Sequence, residues 1–180
     1  LQVWEEIDFV DIPGRLIPEW LAIRNRPSAS AAHRYTIDRH SVEVVTRLGR
    51  ETPRGNRYDD RHYQALLLAG ILHDVGKRPG VADHAAEGAR HASMVLKRMG
   101  FDRDIIWWVT LLVREHLTLS EFATGQNPND PNVGDELASR LDHDPLLLDM
   151  LFDLTRADGS SLGATAGETI SEGNAVIAVF

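Results

Sequence analysis

The sequence predicts an all-α helical bundle, and three observations carry that prediction. Apolar residues recur at three- and four-residue intervals over six stretches, glycine and proline fall between those stretches, and no convincing strand precedes the last few residues. At 180 residues and 43% hydrophobic content, the chain is long enough to bury the core of one domain, with residues of about 15–160 as its heart.

Before Ile23, the apolar residues Trp4, Ile7, Phe9, Val10, Leu16, Trp20 and Leu21 predict an irregular arm or short helix packed on the bundle. From Ala31 to about Arg50, Tyr35, Ile37, Val44, Val45 and Leu48 sit at near-helical intervals, and Gly49 with Pro53 marks the end. A loop rich in Arg, Gly and Asn leads to a second helix, about Asp59 to His73, closed by Gly76 and Pro79-Gly80. Small residues and one apolar stripe predict a third from Val81 to Met99, with Gly100 as its stop. Asp102 reads as the N-cap of a fourth, Asp104 to His116, whose Ile105-Ile106-Trp107-Trp108-Val109 run suggests burial, with one indole face exposed. A short helix over Thr118–Ala123 precedes a polar stretch ending at Pro131. Asp144-Pro145 then pairs a cap with proline in the first turn and opens a helix through Leu146–Leu154 to Asp158, stopped by Gly159. The apolar tail Ala175–Phe180 fits a strand, a packed arm or the start of another element.

Composition removes several classes of function. A formal charge of -8 argues against a nucleic-acid backbone binder, which presents a basic face. The absence of cysteine excludes disulfides, thiolate metal sites and a cysteine nucleophile. No apolar run approaches the roughly 18 residues of a membrane span, and no signal-peptide pattern opens the chain, so the expected location is the cytoplasm. The first residue is Leu1 and not methionine, which suggests a piece of a longer multidomain protein. Arginine far outnumbers lysine, a bias read here as genomic rather than functional.

The chemistry gathers at His73-Asp74-Val75-Gly76-Lys77, where the apolar second helix stops. Burying a histidine and an aspartate is costly without compensation, and a divalent metal supplies it. His40, His84, His116 and Asp158 are the expected partners; apart from His40, which is read as mid-helix, they fall at helix ends, where side chains from several helices can converge. His40, His73, Asp74 and Asp158 make one ligand set, and Asp74 can bridge to a second ion on His84 and His116. A bound divalent ion lowers the pKa of a coordinated water and polarises a phosphoryl oxygen. Lys77 can bind a non-bridging oxygen and stabilise the charge that grows there, and Arg114 is a weaker candidate for that task. Asp38 or Glu115 can orient a ligand imidazole.

The order histidine, adjacent His-Asp, distant aspartate resembles the signature of the HD superfamily of metal-dependent phosphohydrolases, and the extra histidines resemble its two-metal subset. The blocks His33–His40, Ile71–Lys77, Asp83–Ala89 and Val113–Leu117 further resemble the PII uridylyltransferase/uridylyl-removing enzyme family. The resemblance implies an HD-domain helical bundle with a metal site between helices. It also implies removal of UMP, or AMP, from a tyrosine of a PII-type signal protein. Manganese or magnesium is the expected cofactor, with iron(II) also compatible, in two ions. In such proteins a nucleotidyltransferase domain precedes the HD domain and ACT domains sense glutamine after it; this chain shows no nucleotidyltransferase motif and is expected to end too early for ACT repeats. Two other readings stand beside it: hydrolysis of a free nucleotide, cyclic dinucleotide or alarmone, and a non-catalytic regulatory HD module. His33 is expected to line the site, His62 and His91 have no counterpart in the pattern, and His143-Asp144 is read as a decoy.

Overall fold

A computed structural model describes residues 2–28, 34–52, 55, 57–127 and 130–161. His33, the middle of the loop after the first long helix, and the tail 175–180 lie outside the described residues. Among the described residues every regular element is helical: α1 Gln2–Phe9, α2 Ile12–Leu16, a 3₁₀ turn Pro18–Ala22, α3 Ile37–Glu51, α4 Asp60–Leu72, α5 His84–Arg98, α6 Arg103–Glu115, α7 Thr118–Gly125, α8 Pro131–Arg140 and α9 Pro145–Ser160. The all-α expectation holds, with one isolated bridge, Pro27 to Thr36, as the sole β-type pairing described.

Five helices start on an aspartate whose carboxylate accepts backbone N–H groups of the first turn: Asp59, Asp83, Asp102, Asp130 and Asp144. Each such cap is worth about 1 kcal/mol. Part of the acidic excess is therefore helix punctuation, and the expected caps at Asp102 and Asp144 are both in place. Gly100, at φ +80°, supplies the left-handed residue after α5.

The core forms where α5 and α4 pack on α6, with α3 and α9 closing the bundle. Leu66, Ala69, Leu72, Ala92, Leu96, Val109, Leu112, Met150, Leu151 and Leu154 are buried in one cluster. A second cluster joins Trp20 and Ile23 to Ile37 and Val42, with Trp4 edge-on to Trp20 at 5.4 Å.

Several expectations need correction. α3 begins at Ile37 rather than Ala31, because Arg34–Thr36 are tied to the preceding arm, the Ile37 N–H donating to the Arg26 carbonyl at 2.9 Å. His40 is thus a first-turn residue and not mid-helix. Gly49 lies inside α3, and α9 runs past Gly159 to Ser160. α5 starts at His84, since Asp83 is its cap. In the N-terminal arm only Trp20 of the apolar set is fully buried, while Phe9, Val10, Leu16 and Leu21 face solvent. α8 was not anticipated: few of its residues are apolar, and it holds to the bundle through Val133, Leu137 and the following Leu141.

Candidate metal centre

The side chains singled out by the sequence meet at one end of the bundle. His73 and His116 cap the C-termini of α4 and α6, Asp74 follows His73, and His84 opens α5. His40 comes from the first turn of α3 and Asp158 from the last turn of α9. The imidazoles form a chain of edge-on contacts, His40 to His73 at 5.4 Å, His73 to His116 at 5.3 Å and His116 to His84 at 5.3 Å.

Beyond α4 the backbone tightens into i to i+3 turns, with the Val75 N–H on the Leu72 carbonyl and the Lys77 N–H on the Asp74 carbonyl. Gly76 serves close packing here: a Cβ would collide with the backbone of His84 and Gly88. Gly76 was expected to let the chain leave the helix; its structural task is to press the end of α4 onto the first turn of α5. That contact brings His84 to within 3.7 Å of Asp74 Oδ1.

Two imidazoles are oriented by their own helices. His73 Nδ1 lies 2.9 Å from the Gly70 carbonyl and His116 Nδ1 lies 2.7 Å from the Val113 carbonyl. A carbonyl can only accept, so both Nδ1 atoms carry hydrogen and both Nε2 atoms face the site. Neither Asp38 nor Glu115, expected in that role, performs it. Asp38 accepts the Asn25 N–H at 3.0 Å, and Glu115 accepts the Thr118 hydroxyl at 2.7 Å.

Asp74 is the junction. Its Oδ1 is 3.7 Å from both His84 Nε2 and His116 Nε2, and its Oδ2 is 3.4 Å from His73 Nε2 and 2.7 Å from Lys77 Nζ. Asp158 Oδ1 sits 2.7 Å from His40 Nε2 and 3.8 Å from His73 Nε2. The groups His40, His73, Asp74 and Asp74, His84, His116 each bring their donor atoms within 4.8 Å of one another. Small side-chain adjustments would let each group hold a divalent ion.

The residues fit divalent ions by two further criteria. The donors are imidazole nitrogens and carboxylate oxygens, a set suited to Mn²⁺, Mg²⁺ or Fe²⁺. Four buried atoms aimed into the site, His73 Nε2, Asp74 Oδ1, His84 Nε2 and His116 Nε2, have no hydrogen-bond partner. Orphaned buried polar atoms are rare in folded proteins and cost about 1–3 kcal/mol each.

The buried imidazoles and carboxylates of the site shift one another. Burial alone would lower the His73 imidazole, but Asp74 and Asp158 carry it up to about 9. Burial and the neighbouring His73 charge push His116 down to about 4, and burial also lowers His84. Burial would raise both carboxyls, yet His73 and Lys77 hold Asp74 well below its ordinary value, and the His40 hydrogen bond and His73 hold Asp158 at about 2.

The remaining histidines sit elsewhere. His62 stacks on Trp108 at 4.1 Å and contacts the Asp59 cap, and Arg61 lies over the Trp108 ring. Trp107 is the partly exposed indole. His91 pairs with Glu87 at 2.8 Å, and His143 lies in the left-handed turn between α8 and α9, beside Asp144 acting as a cap. Arg114 is exposed and lies 3.6 Å from Glu115.

A bundle that brings an adjacent His-Asp pair together with distant His and Asp side chains defines the class of protein. The chain belongs to the HD domain family, whose family model matches residues 37–151. More particularly, it is similar to curated proteins named bifunctional uridylyltransferase/uridylyl-removing enzyme. It is 37% identical to that of Streptomyces coelicolor over 92% of this chain and 19% of the relative. It is 36% identical to that of Mycobacterium tuberculosis over 88% of this chain and 19% of the relative, and 32% identical to that of Caulobacter vibrioides over 83% and 17%. The chain therefore spans about a fifth of the length of these relatives. Among the described residues no helix is long and apolar enough to cross a membrane.

Proposed function

We propose that this chain is a metal-dependent phosphodiester hydrolase that removes a nucleotidyl group, UMP or AMP, from the tyrosine of a PII-type nitrogen-signalling protein. The observation that carries the hydrolase reading is the cluster of four partnerless donor atoms around Asp74, buried where the HD signature falls. The names of the relatives support the nucleotidyl-protein substrate.

His40, His73, Asp74 and Asp158 would hold one divalent ion, and Asp74, His84 and His116 a second. Bound there, Mn²⁺ or Mg²⁺ supplies an acidified water and polarises the phosphoryl oxygen. The carbonyls of Gly70 and Val113 fix the rings of His73 and His116, so both present a lone pair without a rotameric search. Lys77, 2.7 Å from Asp74, would reach a phosphate bound beside that carboxylate and stabilise the charge developing on a non-bridging oxygen. The working location that fits such a substrate is the cytoplasm, and glutamine control would come from ACT domains of a longer protein.

The test is incubation of the 180-residue chain and Mn²⁺ with UMP- or AMP-modified PII-type protein, followed by chromatography of the released nucleotide. Stoichiometric UMP or AMP is the expected result. Intact modified protein, with free nucleotides or cyclic dinucleotides cleaved instead, would replace this reading with the free-nucleotide one.

A further inference from the structure

Two cavities share His84 as a lining residue. The first, about 440 Å³, is lined by Arg26, Lys77 and Arg78 together with the apolar walls Ile37, Pro79 and Val81. The second, about 450 Å³, is lined by Asp83, Glu115 and Glu121 together with Arg114 and Arg140. They are similar in size and opposite in electrostatic character.

In the first cleft the cations are uncompensated beyond Lys77. Among the described residues no carboxylate lines it, and neither Arg26 nor Arg78 forms an ion pair. Arg78 makes a long 3.4 Å hydrogen bond to the Glu19 carbonyl, and its Nε is buried without a partner. This occurs in a chain of net charge -8, where an uncompensated cationic cleft calls for an anionic ligand. Arg26 is also held in place: its carbonyl accepts the Ile37 N–H, which fixes it beside the first turn of α3 that carries His40. In the second cleft the positive charge is cancelled. Arg140 contacts Glu136 at 2.8 Å and Glu115 at 3.5 Å, Arg114 contacts Glu115 at 3.6 Å, and carboxylates outnumber guanidiniums.

The reaction is asymmetric in the same sense. Water forms the new P–O bond and the P–O bond to tyrosine breaks. One of the water's protons ends on the tyrosine oxygen and the other in solvent. The tyrosine leaves as a neutral phenol, while the nucleotide leaves as a phosphomonoester carrying about two negative charges at neutral pH. Negative charge therefore accumulates on the nucleotide half only.

We infer that the nucleotide half of the phosphodiester is held in the Arg26–Lys77–Arg78 cleft, and that the half that carries the tyrosine lies outside it. The inference rests on the hydrolase reading and assigns its substrate a direction. The guanidiniums of Arg26 and Arg78 offer paired donors to phosphate oxygens and flat faces to a base. Ile37, Pro79 and Val81 exclude water from the base, and the cleft volume suits a nucleoside monophosphate.

Equilibrium binding of UMP, AMP and inorganic phosphate to the Mn²⁺-loaded 180-residue chain tests this, with bis(p-nitrophenyl) phosphate turnover by the unsubstituted chain measured in parallel. Arg26→Ala and Arg78→Ala should each weaken UMP or AMP binding about tenfold or more, with bound manganese and melting temperature retained. Arg103→Ala, which removes an equal charge outside the cleft, should leave nucleotide binding unchanged. Nucleotide binding insensitive to both cleft substitutions, or inorganic phosphate binding as tightly as the nucleotides, would overturn the assignment while turnover keeps the hydrolase reading intact. No turnover by the unsubstituted chain would sink the hydrolase reading, and this inference with it.

Discussion

Two buried aspartates, Asp153 and Asp74, have opposite surroundings, and the contrast separates what holds the fold from what acts. Asp153, on α9, accepts the Tyr58 hydroxyl at 2.8 Å and the Thr52 hydroxyl at 3.2 Å, with Arg57 at 3.5 Å and Arg156 at 3.8 Å. Burial and that carboxylate push the Tyr58 phenol far up, so it stays a donor. Donors converge on one acceptor, and the cluster ties the segment after α3 to α9. Around Asp74, besides Lys77, the neighbours are imidazoles that turn Nε2 inward, and the Asp74 Oδ1 lacks any hydrogen-bond donor. The first cluster is complete as protein. The second leaves donor atoms that a cation can satisfy.

The largest effects should separate the two aspartates outright. Asp74→Asn is expected to abolish metal binding and hydrolysis, and to lower the ion-free melting temperature as well, because it takes the carboxylate partner from His73 and Lys77. Asp153→Ala is expected to keep both ions but cost about 3 kcal/mol, a fall of roughly 6–12 °C in melting temperature for a domain of this size. Calorimetry and metal analysis on the same preparations check both, and equal behaviour of the two variants would break the contrast.

Gly76→Ala should combine the two phenotypes. Its Cβ meets backbone of α5 rather than a flexible side chain, so the expected cost is about 3 kcal/mol. The displaced His84 should weaken the second ion more than the first, as read by a manganese titration.

Smaller and more local effects should divide the site itself. His116→Ala or His84→Ala should remove one ion and leave the other, whereas His40→Ala should remove the ion that His116→Ala retains. Loss of both ions in every variant would instead mean a single shared centre.

The smallest effect concerns pH in the ion-free chain. His116 is held at about 4 against an ordinary 6.5, so the unfolded chain binds the extra proton between those values, and stability falls as pH drops from 6.5 to 4. His73 is raised to about 9, so its contribution is complete below 6.5 and is lost as pH rises through 9. The chelated protein should therefore melt highest near pH 6.5. Mn²⁺ should flatten the alkaline fall, since the ion takes the proton's place on His73.

Much of this was legible in the residues, for physical reasons. The caps Asp102 and Asp144 and the apolar stripes of α4, α5, α6 and α9 are local signals, and the structure bears them out. The ring-orienting carbonyls of Gly70 and Val113 were not legible, because they become acceptors only where a helix stops. α8 carried an overlooked signal: Asp130-Pro131 repeats the cap-and-proline pattern of Asp144-Pro145, and Val133, Leu137 and Leu141 recur every four residues. Phe9, Leu16 and Leu21 misled because apolar character alone does not say which face a short arm buries. The role of Arg26 and Arg78 is not legible in the sequence, because it lies in the absence of carboxylates around them among the described residues, and pairing is a property of the folded chain.

The central claim is that the lone pairs around Asp74 form a two-ion centre. It is tested most directly by counting manganese bound to the purified 180-residue chain, by mass spectrometry after dialysis, beside Asp74→Asn and Asp153→Ala. The account predicts two equivalents in the unsubstituted chain, two in Asp153→Ala and none in Asp74→Asn. A chain that binds no manganese, or an Asp74→Asn variant that still binds two, would contradict it.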